Sequence, residues 1–299
     1  MQLAILADIH GNLPALNAVL EDARRAGVDG FVAAGDFLGG PQSQETVSVL
    51  RSLNSRMIRG NGEDYFVDFD RGRAPGAWYE SHQWSTMRWI YEHLEAESLH
   101  YTAALPDQRV VSLKDTDPIR VVHGSPQRST EQLMPDRDLK VLDVFRVARL
   151  LGVDAEPTKL AAALRGVFEP VVVCGHTHIP WRQRENGRLV LNPGSVGAPL
   201  NGDPRAQYAL LRWDGGAWSV EHRAIPYDLA LIRSAYVESG LLAEGGAIAK
   251  AGLLGIETGQ NVIGAFLDHT YALAAESGCE GGKVVPDGIW HEAVGTFDW

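Results

Sequence analysis

The first apolar run of this chain, Leu3-Ala4-Ile5-Leu6-Ala7, stops at Asp8-Ile9-His10-Gly11-Asn12. A strand from Gln2 to Ala7 that delivers an Asp-x-His pair constrains the fold, because two metal-ligand side chains then sit at one strand end. Alternation along an extended backbone predicts that Asp8 and His10 point the same way. The pattern recurs. Gly30-Phe31-Val32-Ala33-Ala34 ends in Gly35-Asp36, and Met57-Ile58 leads to Gly60-Asn61. Ile119 to Val122 ends in His123-Gly124, and Val171-Val172-Val173-Cys174 ends in Gly175-His176-Thr177-His178.

Helical spacing between these runs, over Pro14 to Arg25 and Gln44 to Leu53, makes the order strand–helix–strand. That order predicts an α/β fold with a largely parallel sheet and ligands collected at the carboxyl ends of its strands. Arg109 to Leu113 pairs with Ile119 to Val122 as a hairpin, and Asp214-Gly215-Gly216 joins Tyr208 to Trp213 with Trp218 to His222. A short strand over Arg188 to Leu191 leads into Asn192-Pro193-Gly194-Ser195.

Two aspartates, one asparagine and four histidines form an oxygen and nitrogen donor set without a thiolate. It suits borderline divalent ions such as Mn, Fe, Zn or Ni, and it exceeds what one tetrahedral zinc needs. Any one of these residues alone reads as a cap, a turn or a satisfied histidine. Five such segments at five strand ends do not.

The order D-x-H, G-D, G-N, H-G, G-H-x-H resembles the calcineurin-like metallophosphoesterase superfamily. The branch most similar is that of single-domain bacterial and archaeal phosphodiesterases, which share the Asn192-Pro193-Gly194-Ser195-Val196-Gly197 loop. The resemblance implies a four-layer α/β/β/α sandwich of two mixed β-sheets flanked by helices. It implies Asp8, His10 and His178 on one metal ion, Asn61, His123 and His176 on a second, and Asp36 between them. It further implies hydrolysis of a phosphate ester, more specifically a diester, by a hydroxide bridging two ions about 3.5–4 Å apart. Asp36, Asn61 and His123 are the expected catalytic set, with Asn61, Arg59, Ser125 and Ser195 as expected substrate contacts.

Two departures matter. Many relatives carry a histidine after G-N that protonates the leaving group, and this chain has Gly62. Such help is typically worth about 10²–10⁴-fold, so poor leaving groups suffer most. The arginine that protein phosphatases place after G-D is absent from Gly35-Asp36-Phe37-Leu38-Gly39-Gly40-Pro41, which argues against a protein phosphatase. A dinucleoside polyphosphate hydrolase and a metal-poor protein-binding scaffold of the same fold are the alternative readings.

The resemblance covers residues 1–227, and 228–299 reads as a C-terminal helical extension packed on that domain. It comprises helices over Leu229 to Gly240 and Asn261 to Ser277, with joints at Gly245-Gly246 and Gly281-Gly282. Within the domain, 65–105 carries Trp78, Trp84 and Trp89 at helical spacing. It reads as a helical cover over the sheet rather than a base-stacking lid, with His82, His93 and His100 near the site at most.

The net charge of −11 disfavours nucleic acid and anionic membrane surfaces as partners. A small phosphorylated substrate stays compatible with it, since bound cations dominate locally. A homo-oligomer is equally compatible. Asp8 and His10 interrupt the first apolar run too early for a signal peptide, and no run approaches the roughly 18 apolar residues of a membrane span. Cys174 and Cys279 form no CxxC pair and read as two packed, reduced thiols of a cytoplasmic protein.

Overall fold

The structure, a computed structural model, describes residues 1–135, 159–279 and 284–299; the Gly281-Gly282 joint lies outside them. Strand β1 (Gln2–Leu6) shows why the first run is apolar at every position. Leu3, Ile5 and Ala7 face one cluster of buried residues, whereas Ala4 and Leu6 face another. A strand buried on both faces reads as continuous hydrophobicity rather than alternation.

Sheet one has the order β10-β9-β1-β2-β3. Strands β2 (Gly30–Ala33) and β3 (Arg56–Met57) extend β1 in parallel, and the hairpin β9 (Ala206–Trp213) and β10 (Trp218–Ile225) joins it antiparallel. Sheet two, β4-β5-β6-β8-β7, repeats that design. Its parallel centre is β5 (Ile119–Val122), β6 (Val171–Val173) and β8 (Arg188–Pro193), flanked antiparallel by β4 (Gln108–Val111) and β7 (Pro180–Glu185). Leu3, Ile5, Val32 and Ile58 of sheet one meet Val121, Val173, Leu189 and Leu191 of sheet two between the layers. The sheets are therefore mixed, as expected. The β7–β8 hairpin was not anticipated, although its turn Asn186-Gly187 has φ 50° and 81°, the two positive values a type I′ turn needs.

Helices α1 (Leu13–Arg25) and α2 (Ser43–Ser52) cover the outer face of sheet one. Asn12 caps α1 by accepting from the Ala15 N–H at 3.1 Å, and Leu16, Val19 and Leu20 turn inward. Helix α3 (Asn61–Asp70) starts at a site residue. The Trp-rich segment folds as α4 (Gly76–Glu80), a 3₁₀ turn His82–Trp84, α5 (Ser85–Glu92) and α6 (Ala96–Ala104). Trp89, Ile90 and Leu99 enter the core and Met87, Tyr91 and Leu94 pack against it, so the segment is a cover. Trp78 stacks on Trp84 at 3.9 Å and Trp89 on His93 at 3.8 Å. On sheet two, a short helix α7 (Leu160–Ala163) packs on Val172, Cys174 and Trp181.

The C-terminal helices are α8 (Leu229–Glu238), α9 (Leu241–Glu244), α10 (Gly246–Thr258), α11 (Val262–Glu276) and α12 (Asp287–Thr296). Helices α8 to α10 pack into the main core, and α11 and α12 gather around a cluster of their own. Ile232, Tyr236, Leu253 and Ile256 share a cluster with Leu6 and Leu16, and the Ser85 and Thr86 hydroxyls donate to the Gly245 carbonyl at 2.8 and 2.7 Å. The aromatic terminus folds back, with Phe297 and Trp299 against Phe266. Among the described residues no helix is long and apolar enough to cross a membrane. Cys174 is buried, its thiol pushed up by burial and by Asp8, whereas Cys279 is exposed, so only one of the two thiols is packed.

Candidate metal centre

The seven expected ligands come from the carboxyl ends of five strands in two sheets, and they converge. The loop after β1 zips to the loop after β2. Asp8 N–H donates to Gly35 O at 3.1 Å, His10 N–H to Asp36 O at 3.0 Å, and Gly11 N–H to Phe37 O at 3.0 Å. That pairing, rather than strand alternation, aims Asp8 and His10, because β1 ends at Leu6. Asp8, His10, Asp36, His176 and His178 all adopt left-handed backbone, φ 48° to 68°. Such conformations cost on the order of 1–3 kcal/mol each and persist where surrounding structure over-determines them. Gly35, φ 88°, admits no side chain: a Cβ would sit 2.6 Å from Gly60 N and 2.7 Å from His123 Nδ1.

The ligand atoms of Asp8, His10 and His178 lie within 4.8 Å of one another, and those of Asp36, His123 and His176 do likewise. Asp36 faces both groups. Its Oδ2 is 3.8 Å from His10 Nε2 and its Oδ1 is 3.3 Å from His123 Nε2. Asn61, the first residue of α3, sets its Oδ1 3.0 Å from His123 Nε2, and Tyr65 hydrogen-bonds its side chain.

Each histidine has one ring nitrogen held by a backbone carbonyl. Nδ1 of His10, His123 and His178 meets Leu38 O at 3.1 Å, Ala34 O at 2.8 Å and Ala198 O at 2.6 Å; Nε2 of His176 meets Thr130 O at 3.2 Å. With a proton on each carbonyl-facing nitrogen, the inward nitrogens of His10, His176 and His178 are free to act as ligand atoms. His10 Nε2 and His178 Nε2 then face each other at 3.2 Å, an arrangement that a cation would satisfy.

The electrostatics agree. Burial, helped by the positive neighbour His123, pushes His176 down to about 4, and burial with His10 pushes His178 down to about 3. Burial also lowers His10, against the pull of Asp36. Burial opposes charge on His123, but Asp36 and Asp8 overcome it and raise the imidazole to about 10. The converse holds for Asp36: burial would raise it, and His123, His10 and His176 hold it well below the usual carboxylate range. Asp8 is raised by burial despite His123, and its two oxygens accept the His176 N–H at 3.1 Å each. A cavity of about 330 Å³ opens onto the centre, bordered by His10, Asp36, Asn61, His176 and His178.

Residues 1–216 match the calcineurin-like phosphoesterase superfamily domain. The chain belongs to that superfamily. An uncharacterised protein of Methanocaldococcus jannaschii is 29% identical over 245 residues, 76% of this chain and 88% of its own. The phosphodiesterase YfcE of Escherichia coli K12 is 25% identical over 222 residues, 71% and 87%. A crystal structure of a metallophosphoesterase from Sphaerobacter thermophilus aligns with TM-score 0.63 at 28% identity, covering 84% of this chain and all of that one. This superfamily member is a metallophosphoesterase, a phosphoric ester hydrolase by class, with two candidate metal sites.

Three expected substrate contacts are committed elsewhere. The Arg59 guanidinium bonds Asp64 at 3.1 Å and the carbonyls of Ala103 and Leu105 at 3.0 and 2.7 Å, tying α3 to the end of α6. Ser125 donates to Glu131 and accepts from the backbone N–H of Gln127 and Arg128 at 3.1 Å each, which shapes its own loop. Ser195 is fully buried. It donates to Asp8 O at 2.6 Å and accepts from Ala198 N–H at 2.8 Å, clamping the β1 loop to the loop after β8. None of the three borders the cavity. Likewise His93 lies on Trp89 and His82 beside Asp287 and His291; neither they nor His100 lines it.

One residue went unrecognised in the sequence. Glu63 is fully buried and accepts N–H groups from Asp36 (2.7 Å), Leu38 (2.9 Å) and Gly60 (2.8 Å). It holds the Asp36 loop against the start of α3. Burial, then Asp36, pushes its carboxyl up to about 8, while the Leu38 and Gly60 N–H groups pull it down. Its signal was the acid three residues after Gly60, the capping-box position.

Proposed function

We propose that this chain hydrolyses phosphodiesters at a dinuclear metal centre. Asp8, His10 and His178 would hold one ion and Asn61, His123 and His176 the other, with Asp36 shared between them. The placement of Asp36 carries the reading, since its two carboxylate oxygens face the two groups separately, at 3.8 and 3.3 Å from His10 and His123. When bound, two such ions supply Lewis-acid polarisation and a nucleophile drawn from water at neutral pH. Everything else is the protein's own work.

Asp8 is fixed by the His176 N–H, and the four imidazoles are fixed by carbonyls, so the donors need no reorganisation when charge develops. Asn61 reaches the centre from the start of α3. Asp36 Oδ1 also accepts the Gly62 N–H at 2.7 Å, which locks the carboxylate. Because Gly62 carries no acid, the leaving alcohol takes its proton from solvent, which favours esters with good leaving groups. A diester carries one negative charge, a monoester up to two, and among the described residues the cavity offers no lysine or arginine for the second.

Bis(4-nitrophenyl) phosphate and 4-nitrophenyl phosphate, assayed side by side with Mn or Ni added, test the assignment. The expected result is metal-dependent turnover with the higher kcat/KM on the diester. A clear monoester preference overturns the diesterase reading.

A further inference from the structure

The cavity beside the metal centre has an unusual far wall. One side is polar and carries the ligands. The opposite side is contributed by the C-terminal helices and by α5, through Met87, Tyr236, Ile248, Gly252, Ile256 and Ile263. Apart from the ligand Asp36, no charged Asp, Glu, Lys or Arg lines it among the described residues. The tryptophans Trp78, Trp84 and Trp89 are also absent from the lining. Among the described residues a polyphosphate chain or nucleotide would find no cation there beyond bound metal and no indole face on which to stack a base. A single phosphoryl group at the ions, with an apolar substituent extending away from them, matches both walls.

From this we infer that the substrate is a phosphodiester one of whose ester groups is an uncharged, apolar alkyl or aryl residue held against α10 and the start of α11. The inference rests on the proposed hydrolysis and specifies its substrate class. In the balanced reaction water adds its oxygen to phosphorus and releases a proton to solvent, one P–O ester bond breaks, and the departing alkoxide takes a proton back from solvent to leave as the alcohol. The phosphomonoester is the other product. A volume of about 330 Å³ is at the small end of the range for ligand sites, enough for a short chain or one ring.

Gly252 is the control point. A Cβ there would stand 3.5 Å from the Tyr236 hydroxyl and 3.8 Å from Ile263 Cδ1, ordinary contact distances. A larger side chain at this position therefore grows into the cavity without touching a ligand. The test is titration calorimetry of the Mn-loaded protein with methyl-, propyl- and butylphosphonate, which share one headgroup. Burial of each methylene is worth about 0.8 kcal/mol, so Kd falls about fourfold per methylene. Gly252→Leu and Ile263→Asn each flatten that dependence. A Kd independent of chain length in the wild type, or an unchanged dependence in both variants, overturns the inference. Absence of metal-dependent turnover on bis(4-nitrophenyl) phosphate would instead remove the hydrolase reading beneath it.

Discussion

Replacing Glu63 tests how the metal-facing loop is held. Its carboxylate takes three backbone N–H groups from two different loops, Oε2 from Asp36 and Gly60 and Oε1 from Leu38. A buried N–H left without its acceptor costs about 1–3 kcal/mol. Taking the lower part of that range, Glu63→Ala loses three and leaves buried donors unpaired, a cost of about 4–6 kcal/mol. Glu63→Gln keeps the two bonds to one oxygen and turns an NH₂ toward the Leu38 N–H, so its cost is about 2–3 kcal/mol. Urea unfolding of metal-free protein is run at pH 6, below the value of about 8 for this carboxyl, because a buried acid raised in the fold loses stability as pH rises through that value. An Ala variant within about 1 kcal/mol of wild type, or a Gln variant as damaged as Ala, would refute this account of the loop.

Further outcomes follow from neighbouring contacts. Ser195→Ala removes the clamp on Asp8 O and costs about 1–3 kcal/mol in unfolding, with KM for bis(4-nitrophenyl) phosphate unchanged; a raised KM would restore Ser195 as a substrate contact. Trp84→Phe lowers the melting temperature through the lost Trp78 stack and leaves KM unchanged, whereas a KM effect would revive base stacking. Chelation should lower the melting temperature and added Mn restore it, since a ligand at 100 times its Kd stabilises by about 2.7 kcal/mol. Asp22 accepts from Tyr208 at 2.6 Å and Arg223 at 2.9 Å. Burial opposes its ionisation, but these two bonds hold its pKa below the ordinary value. A depressed carboxyl contributes stability above its unfolded pKa and loses it as pH falls through the folded one. Asp22→Asn should therefore lose stability near neutral pH and show a shallower loss on acidification than wild type.

The two candidate metal-binding groups were legible in the sequence because each of their side chains follows an apolar strand, and strand ends are where such folds collect ligands. Their local backbone was not. Asp8 and His10 reach the site through left-handed turns beyond β1; aspartate and histidine are enriched at positive φ, but it is still uncommon for them and residue type alone does not place it. The loop-holding role of the serines next to motif residues was hidden for a related reason. Ser125 and Ser195 sit at the site in sequence, but their hydroxyls satisfy backbone groups of the loops that build it. The cavity wall was hidden differently. Gly246, Gly252 and Gly255 break the helical pattern over Gly246–Thr258, yet there they admit close packing and open space beside Tyr236. Of the C-terminal helices, α8 to α10 share the core, and α8, α10 and the start of α11 border the site.

The central claim is that these seven side chains hold two ions through a shared Asp36. Metal analysis of protein equilibrated with Mn and desalted, wild type beside Asp36→Asn, tests it directly. The account predicts two ions per chain in the wild type and at most one in the variant, with diester turnover lost alongside. Fewer than one ion per wild-type chain, or two retained in Asp36→Asn, would contradict it.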